Sequence, residues 1–198
     1  MTSESRLVEI SRRGVFRARD LEAVGMHRSQ LQGLLKSGAA ERVARGIYRL
    51  VTSEMTESFT LAAVCARAPQ AIVCLLSALH IHGIGTQFPH EVWIALDRKA
   101  RKPRIEDLPV RIVRFSGPAL RYGVQPLAFQ GVPARITSPA RTVVDCFRYR
   151  NQIGLDVALE ALRETLRDRR ASVDEILRAA EVCRARTVIQ PYLEAFTA

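Results

Sequence analysis

The sequence predicts an α+β protein in which a small helix-and-hairpin module precedes a mixed helix-and-sheet domain with a helical C-terminal end. Its 198 residues are 47% hydrophobic and 25% charged, which is ordinary globular composition. Apolar residues recur at helical spacing near both ends of the chain, and extended apolar segments lie between them. Composition changes around residue 53, so we predict two domains, 1–53 and 54–198.

An excess of positive charge favours a polyanionic partner. The chain carries 30 Lys and Arg against 20 Asp and Glu, a formal net charge of +10. Residues 1–50 alone hold ten cations and five anions. Most of the cations are arginine, whose planar fork pairs with phosphate or guanine, although a GC-rich genome would also favour arginine codons. The balance favours nucleic acid or an acidic membrane surface over a purely structural role.

The lack of a recognisable signal peptide in residues 1–14 and the pattern of cysteines predict a cytoplasmic protein with no membrane partner. Residues 1–14 include Glu4 and Glu9 and no apolar stretch of signal-peptide length. The uncharged stretch 68–90 contains Pro and Gly, and its apolar centre is too short to cross a bilayer. No CxxC pair is present, which predicts buried, reduced thiols at four positions: Cys65, Cys74, Cys146 and Cys183.

The first module is predicted to begin with three short helices. One contains Leu7, Val8 and Ile10, and the next contains Leu21 and ends at Gly25. A third is predicted over 27–36, with three leucines facing inward: Leu31, Leu34 and Leu35.

A hairpin is predicted to follow the third helix. Two short strands, 40–43 and 47–50, flank the loop 44–46, whose last residue, Gly46, suits a left-handed backbone position. Three helices and a hairpin in this order are typical of a winged helix-turn-helix. In that fold the third helix enters the DNA major groove and the hairpin contacts the backbone.

The predicted DNA contacts lie on the outward side of the third helix and on the hairpin. They are Arg28, Ser29, Gln32, Lys36, Arg42 and Arg45. Arg can pair with guanine and Gln with adenine, so this surface has base-reading chemistry. The alternative is a small helical module whose polar residues simply face water.

The second domain is predicted to contain two helices, four strands and four further helices. The helices are 56–68 and 71–79, then one that Ser138 and Pro139 begin, followed by 155–166, 173–183 and 186–196. The strands are 92–96, 110–115, 124–129 and 132–136. Glu175 lies three residues after Ser172, which is capping-box spacing.

Several segments together resemble the AbiEi family of type IV antitoxins and transcriptional regulators. They are 14–25, the hairpin segment 42–48 (RVARGIY), 77–83 with its Ser-Ala-Leu, and 137–145 (TSPARTVVD). The hairpin and the Ser-Pro-Ala-Arg-Thr segment are the most specific, and the last fifty residues match no motif.

The resemblance implies an N-terminal winged helix that represses its own operon by binding double-stranded operator DNA. It also implies a C-terminal domain that counters a nucleotidyltransferase-like toxin without a stable complex. It assigns the DNA-contact role to the third helix and the hairpin. The residues of this sequence in those positions are Arg28, Ser29, Gln32, Lys36, Arg42 and Arg45. The segment 25–27 departs from the small polar residue expected to cap the third helix.

Arg141 and Asp145 lie four residues apart in the predicted helix after Ser138. The N-terminal helix dipole disfavours a cation at Arg141, so another group must hold it there, and Asp145 is in reach. We interpret the two as a structural pair that links the helix to the sheet; a role in toxin neutralisation or ligand binding is the alternative.

Catalytic chemistry has one weak motif, Asp97-Arg98-Lys99 after a predicted strand, which resembles part of a metal-dependent nuclease site. A nuclease-like second domain in a DNA-processing protein, or a stand-alone regulator, is therefore the alternative function, with Glu91 the nearest possible second carboxylate. The basic run 98–104 is otherwise a solvated loop or a second phosphate contact. The spacing of His80, His82, His90 and Cys74 matches no usual zinc site. We expect no enzyme activity, cofactor or metal.

Overall fold

A computed structural model describes residues 9–10, 15–52, 57–105, 107–130 and 132–197 of the chain. The chain forms two compact units. The first comprises Met1–Pro69, Pro103–Leu108 and Ala128–Ala134, and the second comprises Gln70–Lys102, Pro109–Leu127 and Arg135–Ala198. The first unit thus extends past residue 53, where the sequence predicted the domain boundary, and the functional division into 1–53 and 54–198 stays a prediction.

The first unit contains the predicted helices and hairpin. Its elements are α1 (Asp20–Ala23), α2 (Gln30–Lys36), β1 (Ala40–Ala44), β2 (Ile47–Leu50) and α3 (Glu57–Arg67). Of the first predicted helix, Glu9 and Ile10 are helical, whereas Leu7 and Val8 lie outside the described residues. The third helix begins at Gln30 rather than at His27, because the three preceding residues form a turn.

The strands β1 and β2 pair antiparallel, with Glu41 opposite Arg49 and a register shift between Arg42 and Ala44. Ala44 belongs to β1, so the connection is the two residues Arg45 and Gly46 rather than the predicted three. Gly46 has φ +75°, a left-handed conformation that favours glycine.

A third extended segment joins this small sheet at Phe16. The Phe16 N–H donates to the Tyr48 carbonyl and the Tyr48 N–H donates to the Phe16 carbonyl, each at 2.8 Å. The core of the unit combines these segments with α1 and α2, and its buried residues are Ile10, Phe16, Leu21, Val24, Met26, Leu31, Ala40 and Leu50. Leu34 and Leu35 are half-buried rather than fully inside.

The second unit contains most of a five-stranded sheet with the order β5-β4-β3-β7-β6; the end of β6 and the start of β7 belong to the segment Ala128–Ala134 of the first unit. The strands are β3 (Ile72–Val73), β4 (Val92–Asp97), β5 (Val110–Phe115), β6 (Val124–Phe129) and β7 (Val132–Thr137). β3 is antiparallel to β4 and parallel to β7, and β4 is parallel to β5. A short 3-10 helix, Gly117–Leu120, follows β5.

The prediction of a helix over 71–79 was wrong for its first residues. Ile72 and Val73 form the central strand β3, and α4 (Leu75–His82) begins after Cys74, which is extended with φ −149°. A short, fully buried apolar run gives no periodicity that separates a strand from a helix, and the pairing with β4 and β7 decided the outcome.

The remaining helices follow the sheet. They are α5 (Pro139–Arg148), α6 (Arg150–Ile153), α7 (Leu155–Arg167), α8 (Val173–Val182) and α9 (Arg186–Thr197). The Ser138 hydroxyl accepts a hydrogen bond from the Arg141 N–H at 3.4 Å. Ser172 and Glu175 form the predicted capping box. The α+β fold class with a helical C-terminal end is confirmed.

All four cysteines are free and buried, as predicted. Burial raises the pKa of Cys65 to about 12 and that of Cys183 to about 11. It also raises the pKa of Cys74 and Cys146 well above the ordinary value. The thiols are therefore uncharged at neutral pH and poor nucleophiles. Within the described ranges, no helix is both long and apolar enough to span a membrane.

Candidate nucleic-acid interface

The turn that leads into α2 is fixed by two local motifs. After α1, the Met26 N–H donates to the Leu21 carbonyl at 2.9 Å and the Gly25 N–H to the Glu22 carbonyl at 3.0 Å. This is a Schellman arrangement, and Gly25 has the left-handed φ of +74° that it requires. These bonds confirm the prediction that the helix ends at Gly25. They also fix the position at which the chain turns toward α2.

The N-cap residue of α2 is Ser29, whose side chain makes no capping bond, and His27 provides a side-chain acceptor just before the helix. Its Nδ1 accepts from the Ser29 N–H at 3.3 Å and lies 2.8 Å from Ser29 Oγ. The His27 N–H donates to Gln30 Oε1 at 2.9 Å, which completes a reciprocal arrangement similar to a capping box. In the sequence, the only sign of this arrangement is Gln30, three residues after His27. Histidine is an unusual side-chain acceptor before a helix, so the spacing alone did not predict it.

The predicted reading residues all face solvent. Arg28 and Ser29 lie in the entry turn, Gln32 and Lys36 lie in α2, and all four are exposed, whereas Leu31 on the opposite side is buried. Leu31 N–H donates to the Arg28 carbonyl at 3.1 Å, so the turn continues into the helix. Arg28, Gln32 and Lys36 therefore follow one another at four-residue spacing along one side.

Arg28 is held by an ion pair that the sequence did not reveal. Its Nε lies 2.8 Å from Glu22 Oε1, and the two side chains are about half exposed. An exposed pair of this kind is weak, roughly 0.2–1 kcal/mol. The pair thus links the turn before α2 to α1.

The hairpin supplies the remaining predicted contacts. Arg45 is exposed at the turn next to Gly46, and Arg42 is exposed on β1 with its Nε donating to the Ala44 carbonyl at 3.3 Å. Arg49 on β2 differs, because its guanidinium pairs with Glu41 and lies 5.2 Å from the Phe59 ring centroid. All six predicted DNA-contact residues are exposed in the first unit, four on the helix side and two on the hairpin.

A second group of exposed cations lies in the second unit, in the segment after β4. Arg98, Lys99, Arg101 and Lys102 are exposed and make no ion pair within the described part of the chain. Arg114 on β5 donates to the carbonyls of Asp97 and Ala100 at 2.8 and 2.7 Å, which fixes the shape of the turn. This geometry is compatible with both interpretations of the basic run 98–104, a solvated loop or a second phosphate contact.

Glu91 and Asp97 do not form a shared carboxylate site. They stand at opposite ends of β4, six residues apart, which is about 20 Å at the usual rise of a strand. Asp97 Oδ1 accepts from the Lys99 N–H at 2.8 Å, and Glu91 pairs with Arg111 at 3.0 Å. Both carboxylates therefore have local structural partners, and one magnesium ion could not contact both.

The histidines have separate structural contacts. His82 Nε2 lies 2.7 Å from the Thr137 carbonyl oxygen, and His80 packs against the exposed Phe88 with ring centroids 4.9 Å apart. Across the described ranges there is no cluster of three or more His, Cys, Asp or Glu that could hold a metal ion.

Arg141 and Asp145 form a buried pair in the second unit. Arg141 Nε donates to Asp145 Oδ2 at 2.8 Å, and both side chains are fully buried. Arg141 Nη1 also donates to the carbonyls of Ala119 and Tyr122, at 2.7 and 2.8 Å. Burial raises the pKa of Asp145, while Arg141 and Arg148 oppose that shift. The pair therefore lies within α5, and Arg141 also links this helix to the turn after β5.

The geometry defines a class of protein: a winged helix-turn-helix with exposed basic side chains on α2 and the hairpin, followed by a mixed helix-and-sheet unit. Residues 5–51 match the model of a family described as transcriptional regulator, AbiEi antitoxin. The resemblance found in the sequence is confirmed over these residues. No curated protein matches the chain.

A solved structure shows the same fold over most of the chain. The crystal structure of the RV2827C protein from Mycobacterium tuberculosis has 18% sequence identity and a TM-score of 0.53. The match covers 96% of this chain and 80% of that chain. At this identity the likeness shows the fold alone.

Proposed function

We propose that this chain is a DNA-binding antitoxin of a type IV toxin-antitoxin system. In this proposal the winged helix represses the chain's own operon, and the second domain counters a nucleotidyltransferase-like toxin without a stable complex. The protein acts in the cytoplasm and has no catalytic role. The observation that carries the DNA-binding part is the exposed row of Arg28, Gln32 and Lys36 on the side of α2 opposite buried Leu31.

The chemistry of the row supports base reading. Arg28 can pair in bidentate fashion with guanine and Gln32 with adenine, whereas Arg45 on the hairpin turn suits a phosphate. Arg42 lies on the same hairpin and adds a second cation there. The family match over 5–51 supports the regulatory part, and the toxin partner follows from the resemblance.

A mobility-shift titration on the DNA upstream of the gene tests the DNA-binding part. The logarithm of affinity should fall with the logarithm of salt concentration by about 0.9 for each phosphate contact. Arg28→Ala and Gln32→Ala should each cost about 1–3 kcal/mol on the operator and relax base preference. Arg45→Ala should weaken operator and random duplex alike. Equal losses on both duplexes for all three variants would exclude α2 as the reading element.

A growth assay tests the antitoxin part. Expression of the chain from an unrelated promoter should restore growth when the adjacent toxin gene is induced. Operator binding without any rescue would contradict the antitoxin proposal and leave a stand-alone regulator.

A further inference from the structure

His27 lies in the turn before α2, directly before the row of Arg28, Gln32 and Lys36, and the proposed function gives it no role in DNA binding. The residue is exposed, and its Nδ1 contacts both the backbone N–H and the hydroxyl of Ser29. Among the residues that the structure describes, none forms a hydrogen bond with His27 Nε2. One ring nitrogen is therefore bound to the protein, and the other is left for an outside partner.

The contacts with Ser29 fix the tautomer of the imidazole. The Ser29 N–H donates to His27 Nδ1 at 3.3 Å, and a backbone N–H can only donate, so Nδ1 carries no proton. The Ser29 hydroxyl lies 2.8 Å from the same nitrogen and therefore donates to it as well. A neutral imidazole has one protonated nitrogen, which makes Nε2 the N–H donor.

The same contacts limit what Ser29 can offer to DNA. Its hydroxyl has one proton, which the bond to His27 Nδ1 uses, so Ser29 Oγ can act only as an acceptor. Phosphate oxygens are acceptors too, so the hydroxyl has no proton left to give them. The side-chain donor that these two residues present is the Nε2–H of His27.

The turn holds His27 at its backbone as well as at its ring. The His27 N–H donates to Gln30 Oε1 at 2.9 Å. The neighbouring Arg28 pairs with Glu22 of α1 at 2.8 Å, which ties the turn to the preceding helix. A donor that is oriented before binding loses less conformational entropy in a complex than a freely rotating side chain does.

We propose that His27 is a further DNA contact: its neutral Nε2–H donates to a phosphate oxygen of the duplex, and Ser29 positions the ring. Phosphate contacts from side chains beside a reading helix set the register of that helix and carry no sequence information. The donor is a side-chain N–H, so the contact does not depend on the dipole of the seven-residue α2. The contact rests on the proposed function, whereas the tautomer does not.

Two-bond 1H–15N NMR of the full chain at neutral pH tests the tautomer. We expect His27 Nδ1 to have the chemical shift of an unprotonated nitrogen and Nε2 that of a protonated one. Addition of the duplex from upstream of the gene should shift the Nε2 resonance and leave Nδ1 unprotonated. A proton on Nδ1 in the free chain, or an Nε2 resonance that does not respond to bound duplex, would overturn the proposal.

Two variants of His27 separate the donor from the acceptor. His27→Asn keeps an amide oxygen near the position of Nδ1 but has no group that reaches the position of Nε2. It should keep the stability of the native chain and bind operator and random duplex about two- to tenfold more weakly, the contribution of one neutral hydrogen bond. His27→Gln places an amide N–H near the position of Nε2 without an acceptor near Nδ1, so it should lose stability but bind duplex more tightly than His27→Asn.

Fluorescence anisotropy gives the affinities, and urea denaturation gives the stabilities. The matched control is His90→Asn, because His90 is an exposed histidine of the second unit, and its replacement should leave DNA affinity unchanged. Native affinity in His27→Asn, or binding by His27→Asn as tight as that by His27→Gln, would overturn the contact.

Ser29→Ala tests the positioning role of Ser29, because it removes the hydroxyl but keeps the backbone N–H. If Ser29 acts through the ring, this variant should lose no more affinity than His27→Asn, and the double variant should lose no more than His27→Asn alone. Additive losses would overturn the positioning role and show a separate DNA contact of Ser29. Failure of the native chain to bind the upstream DNA would instead contradict the proposed function, and the NMR spectrum of the free chain would still decide the tautomer.

Discussion

Arg141 Nε and Asp145 Oδ2 lie 2.8 Å apart with both side chains fully buried. The same guanidinium lies 4.7 Å from the Phe115 ring centroid and donates to two carbonyls of the turn after β5. Gly123 has φ +63°, and a Cβ there would lie 2.8 Å from the Arg141 Cβ. One side chain thus joins α5, the end of β5 and the following turn.

Breaking this pair should destabilise the second unit. Asp145→Asn and Arg141→Lys should each lower the free energy of unfolding by about 3–5 kcal/mol, because each leaves a buried charged or polar group poorly paired. Urea denaturation measures the change. Arg148→Ala is the control: its side chain is 30% exposed and 3.5 Å from Asp145, so its loss should cost less than about 1 kcal/mol. Equal losses for the three variants would contradict a buried structural pair.

Removal of the Glu22 charge should strengthen DNA binding. Glu22→Gln releases Arg28 and removes a carboxylate beside the reading surface, so affinity for duplex DNA should rise by up to about fivefold, the equivalent of one exposed ion pair. Fluorescence anisotropy with operator and random duplexes measures it. Glu181→Gln removes a comparable exposed partner of Arg186 in the second unit and should leave affinity unchanged. A weaker complex with Glu22→Gln would mean that Glu22 holds Arg28 in its DNA-bound position.

The imidazole of His27 should behave as a helix cap. His27→Ala removes the acceptor for the Ser29 N–H and should cost about 0.5–2 kcal/mol, whereas His27→Ser restores an acceptor and should recover most of it. Urea denaturation gives the free energies, and amide exchange of Ser29 reports the local effect. Identical behaviour of the Ala and Ser variants would show that the imidazole contact does not stabilise α2.

The stability of the chain should fall in mild acid through His82. Burial lowers the pKa of His82 from its ordinary value of 6.5; its bond to the Thr137 carbonyl raises it, and nearby Arg170 lowers it. The unfolded chain therefore binds a proton at a pH where the folded chain does not. This contribution to stability is complete above 6.5 and declines as the pH falls toward the lowered value.

His82→Gln tests the pH dependence, because Gln keeps an N–H donor for the Thr137 carbonyl but does not titrate. Urea denaturation at neutral pH and in mild acid should show a smaller loss for the variant than for the native chain. A loss of the same size in both would assign the acid sensitivity to other groups.

The fragment 54–198 should fold and retain the antitoxin function without DNA binding. It contains all three segments of the second unit, and about 145 residues can bury enough surface for stability. Circular dichroism checks folding, a mobility shift checks DNA binding, and growth with the induced toxin checks neutralisation. The fragment 1–53 should give no rescue. A folded 54–198 fragment that fails to rescue growth would show that neutralisation needs the winged helix.

Local signals in the sequence determined most of the elements. Strands 110–115 and 124–129 are observed with the predicted bounds, and Gly25 ends α1 as predicted. Ser172 and Glu175 form their capping box because the interaction spans only three residues. The exposed row on α2 was also predictable, since helical spacing alone separates the apolar side from the polar side.

Tertiary contacts decided the rest. Ile72 and Val73 became a strand because distant segments pair with them, and Arg28 was found beside Glu22 only once α1 and α2 had turned against each other. A groove beside the hairpin is lined by residues of β1, β2, α3 and the segment around Asp107, which are far apart in the chain. Periodicity and capping act over a few residues, so they determine elements. Contacts between distant residues depend on the packing of the whole unit, and only the folded structure reveals them.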